Sequence, residues 1–262
     1  MSGGVLAGRP AAIEVVREGP VATVRVGTGR RANALGSRDW RALADLFRVQ
    51  LAADAELRAV VLAGHGRGAF CAGSDMREWV DAGQREVDAC FAAMEAALTA
   101  VEELPVPVVA AVRGAALGAG CQLACACDLR LVADTAVLGM PVARWGILTP
   151  PAFAARLARL TGPGLARDLL YTGRLLDAAE AERHGLAGRR VPAAELDALT
   201  ATVVDAIARQ PPTAVRAAKR AVDALDAPAR ERLARLDQNP TADPEAMRRG
   251  LRAFLHHPGD TG

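Results

Sequence analysis

The sequence predicts an α/β protein whose C-terminal section is purely helical. Short apolar runs bounded by glycine or proline recur through the first two-thirds of the chain, and several lead through a turn into a helical pattern. From residue 191 onward only helical patterns occur, separated by prolines. We therefore predict a core over residues 1–190 and a helical region over residues 191–262 that packs on the core and on neighbouring subunits.

The composition is typical of a globular protein that lies outside the membrane. The chain has 262 residues, of which 51% are hydrophobic and 24% are charged. No apolar run reaches the roughly 18 residues that a membrane-spanning helix needs, and no signal peptide pattern is visible. A net charge of +2 and an aromatic content of 3% give no reason to expect nucleic-acid binding. We expect a cytoplasmic protein without membrane or nucleic-acid partners.

The five cysteines are expected to be buried thiols. An odd number of cysteines without a secretory signal favours reduced side chains. The spacing of Cys121, Cys125 and Cys127 could also indicate a metal site. However, no histidine lies nearby, and Cys121 and Cys127 are poorly placed to share one helix face. The favoured interpretation is small buried residues, and no metal site is predicted.

The first half of the chain shows the pattern of a hairpin, two helices and one further strand. Gly19 and Pro20 separate two alternating runs, as in a hairpin, and Ser37 is a suitable N-cap for the first helix. The predicted elements are a hairpin of residues 13–17 and 21–26, a helix over about 38–52, a strand over 59–64 and a helix over about 86–103.

The central stretch of the chain is a short apolar run, Val108–Val112. It is too short and too rich in valine for a helix, and Pro105 and Pro107 lie before it, so we predict a buried strand. The elements predicted after it are a helix over 121–127, strands over 129–133 and 137–138, and helices near 152–160, 164–171 and 178–185.

Glycine-containing turns follow two of the predicted strands, at Gly73 and at residues 114–120. A turn that leads into a helix presents unpaired backbone N–H groups, which can bind an anion or a developing oxyanion. If the two turns converge, they could hold one thioester carbonyl oxygen and stabilise its enolate. The alternative is a pair of ordinary strand-to-helix crossovers, because glycine is common in such turns.

Two longer motifs identify a family. Residues 69–78, Ala-Phe-Cys-Ala-Gly-Ser-Asp-Met-Arg-Glu, resemble the first signature of the crotonase (enoyl-CoA hydratase/isomerase) superfamily, and residues 110–128 resemble the second. Residues 31–35 add a supporting match, and the resemblance runs from about residue 13 to residue 254. It implies a spiral of ββα units, with C-terminal helices that mediate a homotrimer or a dimer of trimers. It also implies an acyl-CoA substrate and no permanently bound cofactor, since coenzyme A is part of the substrate.

The resemblance implies roles for individual residues. The oxyanion donors would be the backbone N–H groups of Ser74 and Ala119, and the two hydratase glutamates fall at Gln122 and Val142. Phe254, on the C-terminal helix, would reach the coenzyme A site of a neighbouring subunit. The implied coenzyme A-binding set is Arg30, Arg31, Ala32, Leu35, Ala72, Asp75, Met76, Arg77 and Phe254.

The sequence departs from the family pattern at the acid–base positions. Neither Gln122 nor Val142 can exchange a proton near neutral pH, and no aspartate or glutamate occurs between residues 134 and 168. General acid–base catalysis typically contributes about 10²–10⁴-fold, so we expect slow hydration. Asp75 and Glu78 are the remaining candidate acids, with a helix cap and a solvated helix face as the alternatives. Arg144 could hold a substrate carboxylate or lie on the surface.

Three function classes follow from these patterns. The first is an acyl-CoA lyase or isomerase with an atypical active site, which could also be a decarboxylase or a hydrolase. The second is a non-catalytic acyl-CoA-binding protein that keeps the carbonyl site without the acid–base pair. The third, a nucleotide-binding oxidoreductase, is disfavoured because Gly118 and Gly120 are not followed by the third glycine of the dinucleotide fingerprint.

Overall fold

The computed structural model describes residues 12–226 and 242–256. In this part of the chain, two sheets are covered by helices. The large sheet has the strand order β1-β2-β3-β4-β6-β9, and the small sheet has the order β5-β7-β8. The strands are β1 (Ile13–Glu18), β2 (Val21–Val26), β3 (Ala59–Gly64), β4 (Val108–Val112), β5 (Ala115–Leu117), β6 (Leu129–Ala133), β7 (Val137–Gly139), β8 (Leu175–Asp177) and β9 (Arg189–Val191). Only the β1–β2 pair is antiparallel in the large sheet.

The helices confirm most of the predicted pattern. They are α1 (Ser37–Asp45), α2 (Gln84–Glu102), α3 (Ala119–Ala126), α4 (Pro151–Thr172), α5 (Ala178–Arg183), α6 (Leu196–Ala208), α7 (Pro212–Asp223) and α8 (Pro244–His256). A wider π-helical segment, Leu46–Leu51, continues α1. Gly162, at a φ of +75°, kinks α4 just before Pro163, which explains why the sequence predicts two helical segments there.

Three short strands were missed by the sequence interpretation. β5, β8 and β9 have three residues each, which is too few to show an alternating pattern. β5 lies inside the predicted glycine turn, and β9 spans the predicted region boundary at residue 190. Beyond β9, the described residues form only helices as regular elements, as predicted. The division into two regions stays a prediction.

The central strand β4 is buried along its whole length because β3 and β6 flank it and a separate hydrophobic cluster packs on each of its faces. The helix that follows, α3, is also buried at every residue. Its side chains are mostly alanine and cysteine, which allow close packing on all sides. The segments that follow β3 and β4 meet beyond the carboxyl ends of these two strands. There the Cys71 N–H donates to the Ala115 carbonyl, and the Leu117 N–H donates to the Cys71 carbonyl, each at 3.0 Å.

All five cysteines are buried free thiols, as predicted. Burial raises the pKa of Cys71 to about 12, so this thiol stays protonated at neutral pH. Within residues 12–226 and 242–256, no group of three or more histidine, cysteine, aspartate or glutamate side chains is placed to hold a metal ion. In the same ranges, no helix has the length and apolar character needed to cross a bilayer.

Candidate active site

A cavity of about 380 Å³ opens where the segments after β3 and β4 meet. Its walls come from the loop before α1, the segment after β3, α2, the β5–α3 turn, the segment from β7 to the first turn of α4, β8 and α8. Most of the predicted site residues line this one cavity. They are Arg31, Ala32, Ala72, Ser74, Asp75, Met76, Arg77, Ala119, Val142 and Phe254.

The two glycine turns are in direct contact. Gly73 has a φ of +98°, a conformation that residues with a Cβ atom rarely adopt. A Cβ atom built on Gly73 would lie 2.9 Å from the Leu117 carbonyl oxygen and 3.1 Å from the Ala119 nitrogen. Only a glycine therefore lets the turn after β3 approach the start of α3 so closely.

Each of the two turns carries an unpaired backbone N–H group, on Ser74 and on Ala119. Ala119 is the first residue of α3, so its N–H lies outside the hydrogen bonds of the helix. The Ser74 hydroxyl is held by the core, because it accepts from Trp40 Nε1 and donates to Met94 Sδ, both at 2.9 Å. Neither backbone N–H donates to another group in the described part of the chain. The cavity wall thus carries two free hydrogen-bond donors next to a helix start.

Leu35 supports the first turn from behind instead of lining the cavity. This residue is fully buried. Its N–H donates to the Gly73 carbonyl, and its carbonyl accepts from the Asp75 N–H, both at 2.9 Å. The expectation that Leu35 contacts coenzyme A is therefore corrected, because its side chain packs into the core and its backbone fixes Ser74 between two hydrogen bonds.

The loop before Leu35 adopts a rare backbone conformation. Arg31, Ala32 and Asn33 have φ values of +51°, +47° and +60°, which are unfavourable for residues with side chains. The buried Asn33 amide holds this conformation. It donates to the carbonyl oxygens of His65, at 3.0 Å, and Ala69, at 2.7 Å, and its Oδ1 accepts from the Gly29 N–H at 2.8 Å.

We expect Asn33→Ala to lower the free energy of unfolding by about 2–3 kcal/mol, since three hydrogen bonds of about 1 kcal/mol each are lost. Urea unfolding followed by circular dichroism measures the change. Arg30→Ala is the matched control, because Arg30 is exposed in the same loop and should change stability by about 0.5 kcal/mol or less. A loss below about 1 kcal/mol for Asn33→Ala would show that the amide does not hold the loop.

Asp75 is the only aspartate or glutamate that lines the cavity among the described residues. Its carboxylate forms an ion pair with Arg31 and accepts from the Arg77 N–H at 3.2 Å. The carboxylate therefore already has two partners. Arg31 and Arg77 lie on the exposed side of the cavity, whereas Arg30 does not line it. The expectation for Arg30 is corrected, because the loop directs it to solvent.

Glu78 is a helix cap. Its carboxylate accepts from the Ser37 N–H and the Ser37 hydroxyl, both at 2.9 Å, at the start of α1. Burial raises the pKa of the neighbouring Asp39, and the negative charge of Glu78 contributes to this shift. Glu78 does not line the cavity, and its contact with Ser37 also differs from the solvated helix face expected as the alternative to a catalytic role.

Gln122 is buried behind the cavity and does not line it. Its Nε2 donates to the Phe153 carbonyl at 3.1 Å, and its Oε1 accepts from Arg156 Nη1 at 3.4 Å. Arg156 is itself buried and ion-paired with Glu95 and Glu102. The expectation that Gln122 faces the reacting group is corrected, because its hydrogen bonds to Phe153 and Arg156 direct its amide towards α4. No motif in the sequence predicts the buried position of Arg156.

The rim of the cavity is formed by Arg144, Trp145 and Phe254. Arg144 is exposed and donates to the Gly173 carbonyl at 3.1 Å. Phe254, on α8, packs edge-to-face on Trp145, with 5.7 Å between ring centroids. A Cβ atom on Gly250 would lie 2.9 Å from Trp145 Cα, so α8 lies flush against the rim. Phe254 therefore lines the cavity of its own chain.

The deep end of the cavity is aromatic. Trp79 stacks on Phe91 with 5.5 Å between centroids, and Phe91 lies 6.4 Å from Phe153. All three rings are at most 6% exposed. The sequence interpretation missed this group, because the residues come from three separate segments and have no common spacing.

Comparison with known proteins gives consistent results. A family model described as Enoyl-CoA hydratase/isomerase matches residues 17–257. YngF of Bacillus subtilis, which bears the same family name, is 34% identical over 91% of this chain and 93% of its own. A short-chain-enoyl-CoA hydratase of Clostridium acetobutylicum is 33% identical over 79% of each chain. The crystal structure of an enoyl-CoA hydratase/carnithine racemase from Magnetospirillum magneticum is similar with a TM-score of 0.79, 36% identity, and coverage of 83% of this chain and 82% of its own.

Proposed function

Because this chain belongs to the enoyl-CoA hydratase/isomerase family of the crotonase superfamily, we propose that its cavity binds an acyl-CoA thioester and stabilises the enolate. The backbone N–H groups of Ser74 and Ala119 donate to the thioester oxygen. One observation carries the proposal: the two N–H groups are unpaired, lie on turns in contact with each other, and line one cavity.

Negative charge grows on the thioester oxygen as an enolate or a tetrahedral intermediate forms. Fixed backbone donors stabilise that charge without reorganisation, and removing one such donor typically costs about 10²–10³ in rate. Ala119 adds the positive end of the α3 dipole, because it is the first residue of that helix. This part of the site needs no titratable side chain.

The remaining parts of coenzyme A fit the open side of the cavity. The backbone of Ala32, Ala72 and Met76 lies along the adenine and pantetheine, and Arg31 and Arg77 contact the phosphates. No permanently bound cofactor is required. We also propose a cytoplasmic homotrimer or dimer of trimers, as the family resemblance implies.

The acid–base groups decide the reaction class. Val142 lines the cavity without a carboxylate, Gln122 is held behind it, and Asp75 is ion-paired with Arg31. Ordinary hydration, which needs a group to activate water and another to protonate carbon, is therefore not the proposed activity. The reactions that fit are decarboxylation of a malonyl-type thioester and thioester hydrolysis, which depend mainly on carbonyl polarisation. An isomerase reaction would also need an acid from the segment after Ser74, since a proton must move.

A non-catalytic acyl-CoA-binding protein is the second candidate. The same absence of a free carboxylate supports it, because such a protein needs the carbonyl site and no proton transfer.

A panel of thioesters tests both candidates. Acetyl-, crotonyl-, malonyl- and 3-butenoyl-CoA are each added in a thermal-shift assay, and turnover is followed by thiol release, by loss of CO₂ and by chromatography of the thioester. We expect all or most of them to raise Tm, and at least one to be consumed. Stabilisation without turnover would identify the binding protein, and no stabilisation by any thioester would remove both candidates.

A further inference from the structure

We propose that the acyl group of the substrate carries an aromatic ring, which stacks in the deep end of the cavity. This inference rests on the proposed function, since it names the substrate class of the same site. The chain is poor in aromatic residues, with three tryptophans, one tyrosine and five phenylalanines. Five of these residues line the cavity, namely Trp79, Phe91, Trp145, Phe153 and Phe254.

The other four aromatic residues have ordinary positions. Trp40, Phe47 and Phe70 are fully buried in the core, and Tyr171 is 75% exposed on α4. Aromatic side chains are therefore concentrated at the cavity in a protein whose core is built mainly from alanine, valine and leucine. A cavity for a plain aliphatic chain could be lined by alanine, valine and leucine, as the core is.

The three buried rings lie at the end of the cavity where the acyl group is expected to bind. Trp79, Phe91 and Phe153 are almost completely buried, whereas the charged side chains of Arg31 and Arg77 lie at the exposed side. Coenzyme A is polar and carries phosphates, so it enters from the charged side and leaves the buried end for the acyl group.

Ser74, whose N–H is the proposed donor to the thioester, lies near the buried aromatic rings. The Ser74 hydroxyl contacts Met94 Sδ at 2.9 Å, and Met94 lies one helical turn from Phe91 on α2. Ser74 therefore lies close to Phe91, so the acyl group of a thioester bound at the Ser74 N–H can reach Phe91 and the two rings beside it.

The geometry of the rings suits a further ring. Trp79 and Phe91 are stacked with an angle of 27° between their planes, and Phe153 is tilted by 38° against Phe91. Offset stacking and edge-to-face contact both provide attraction beyond the burial of area. A saturated ring of the same size gains only the area, although it is the more apolar of the two.

Matched ring pairs test the inference. Dissociation constants are measured by calorimetry for phenylacetyl- against cyclohexylacetyl-CoA and for 3-phenylpropanoyl- against 3-cyclohexylpropanoyl-CoA, with a thiol assay at the end of each titration to confirm intact ligand. The two pairs place the ring at different depths. We expect the phenyl compound to bind about five- to tenfold more tightly in at least one pair.

Variants link the preference to the named rings. Trp79→Leu and Phe91→Leu should each reduce the phenyl preference to about twofold or less, whereas Trp79→Phe keeps a ring and should retain it. Using two separate leucine variants keeps the test decisive if one of them does not fold. A preference that survives in a folded leucine variant would overturn the assignment to these rings.

The outcomes separate this inference from the proposed function. Equal or tighter binding of the cyclohexyl compound in both pairs, with acetyl-CoA still bound, would overturn the aryl inference and leave the acyl-CoA site in place. Absence of binding by every thioester, acetyl-CoA included, would overturn the proposed function and the aryl inference with it.

Discussion

The substitution Gly73→Ala is expected to lower kcat/KM at least about 100-fold on the best thioester of the panel. The new Cβ atom would lie 2.9 Å from the Leu117 carbonyl oxygen and 3.1 Å from the Ala119 nitrogen, so the two turns must separate. Separation displaces one of the two N–H donors, and loss of one such donor costs about 10²–10³ in rate. The φ of +98° at this position adds backbone strain.

Gly68→Ala is the control for this prediction. Gly68 lies in the loop before the same segment, and a Cβ atom there would meet no heavy atom within 4 Å. We expect kcat/KM within about twofold of the wild type for this variant. Circular dichroism and Tm establish that both variants are folded. Full activity in a folded Gly73→Ala variant would rule out the proposed role of the contact between the turns.

The double substitution Gln122→Glu and Val142→Glu is expected to increase the hydration of crotonyl-CoA about 100-fold over the wild type. Val142 lines the cavity, so a glutamate there brings a carboxylate to the substrate. Positioned acid–base groups typically contribute about 10²–10⁴-fold. The lower end is expected, because the Val142 side chain is buried and a carboxylate at this position is costly to place.

The single substitutions separate the two contributions. Gln122→Glu alone should change little, because its carboxylate would replace the Gln122 oxygen that lies 3.4 Å from Arg156 and would remain ionised behind the cavity. Val142→Glu alone should account for most of the gain. Val142→Gln introduces a side chain with the shape of glutamate but without an exchangeable proton, so it should give no increase in hydration. Hydration is followed by loss of enoyl absorbance, and rapid hydration by the wild type would contradict the argument at both positions.

The sequence predicted the parts of the fold that have a strong local pattern. The run Val108–Val112 is buried on both faces and was predicted with its observed bounds. The three-residue strands β5, β8 and β9 were not predicted, because their pairing partners are distant in sequence. The resemblance to the enoyl-CoA hydratase/isomerase family is confirmed by the family model that matches residues 17–257 and by relatives such as YngF.

The candidate site was predicted to a lesser extent. Ser74 and Ala119 follow from motif position, and their turns lie in contact. Arg156 could not be foreseen, because its partners on α2 are far away in sequence and nothing in the sequence marks it as buried. The position of Gln122 behind the cavity depends on this arginine. The aromatic deep end likewise arises only from tertiary packing.

The packing of α8 against the rim makes closure of the cavity depend on a helix that is distant in sequence from the two turns. Phe254 lines the same cavity as Ser74 and Ala119 and contacts Trp145 edge-to-face. A substitution that weakens this ring contact would therefore widen the mouth of the cavity while leaving both turns unchanged.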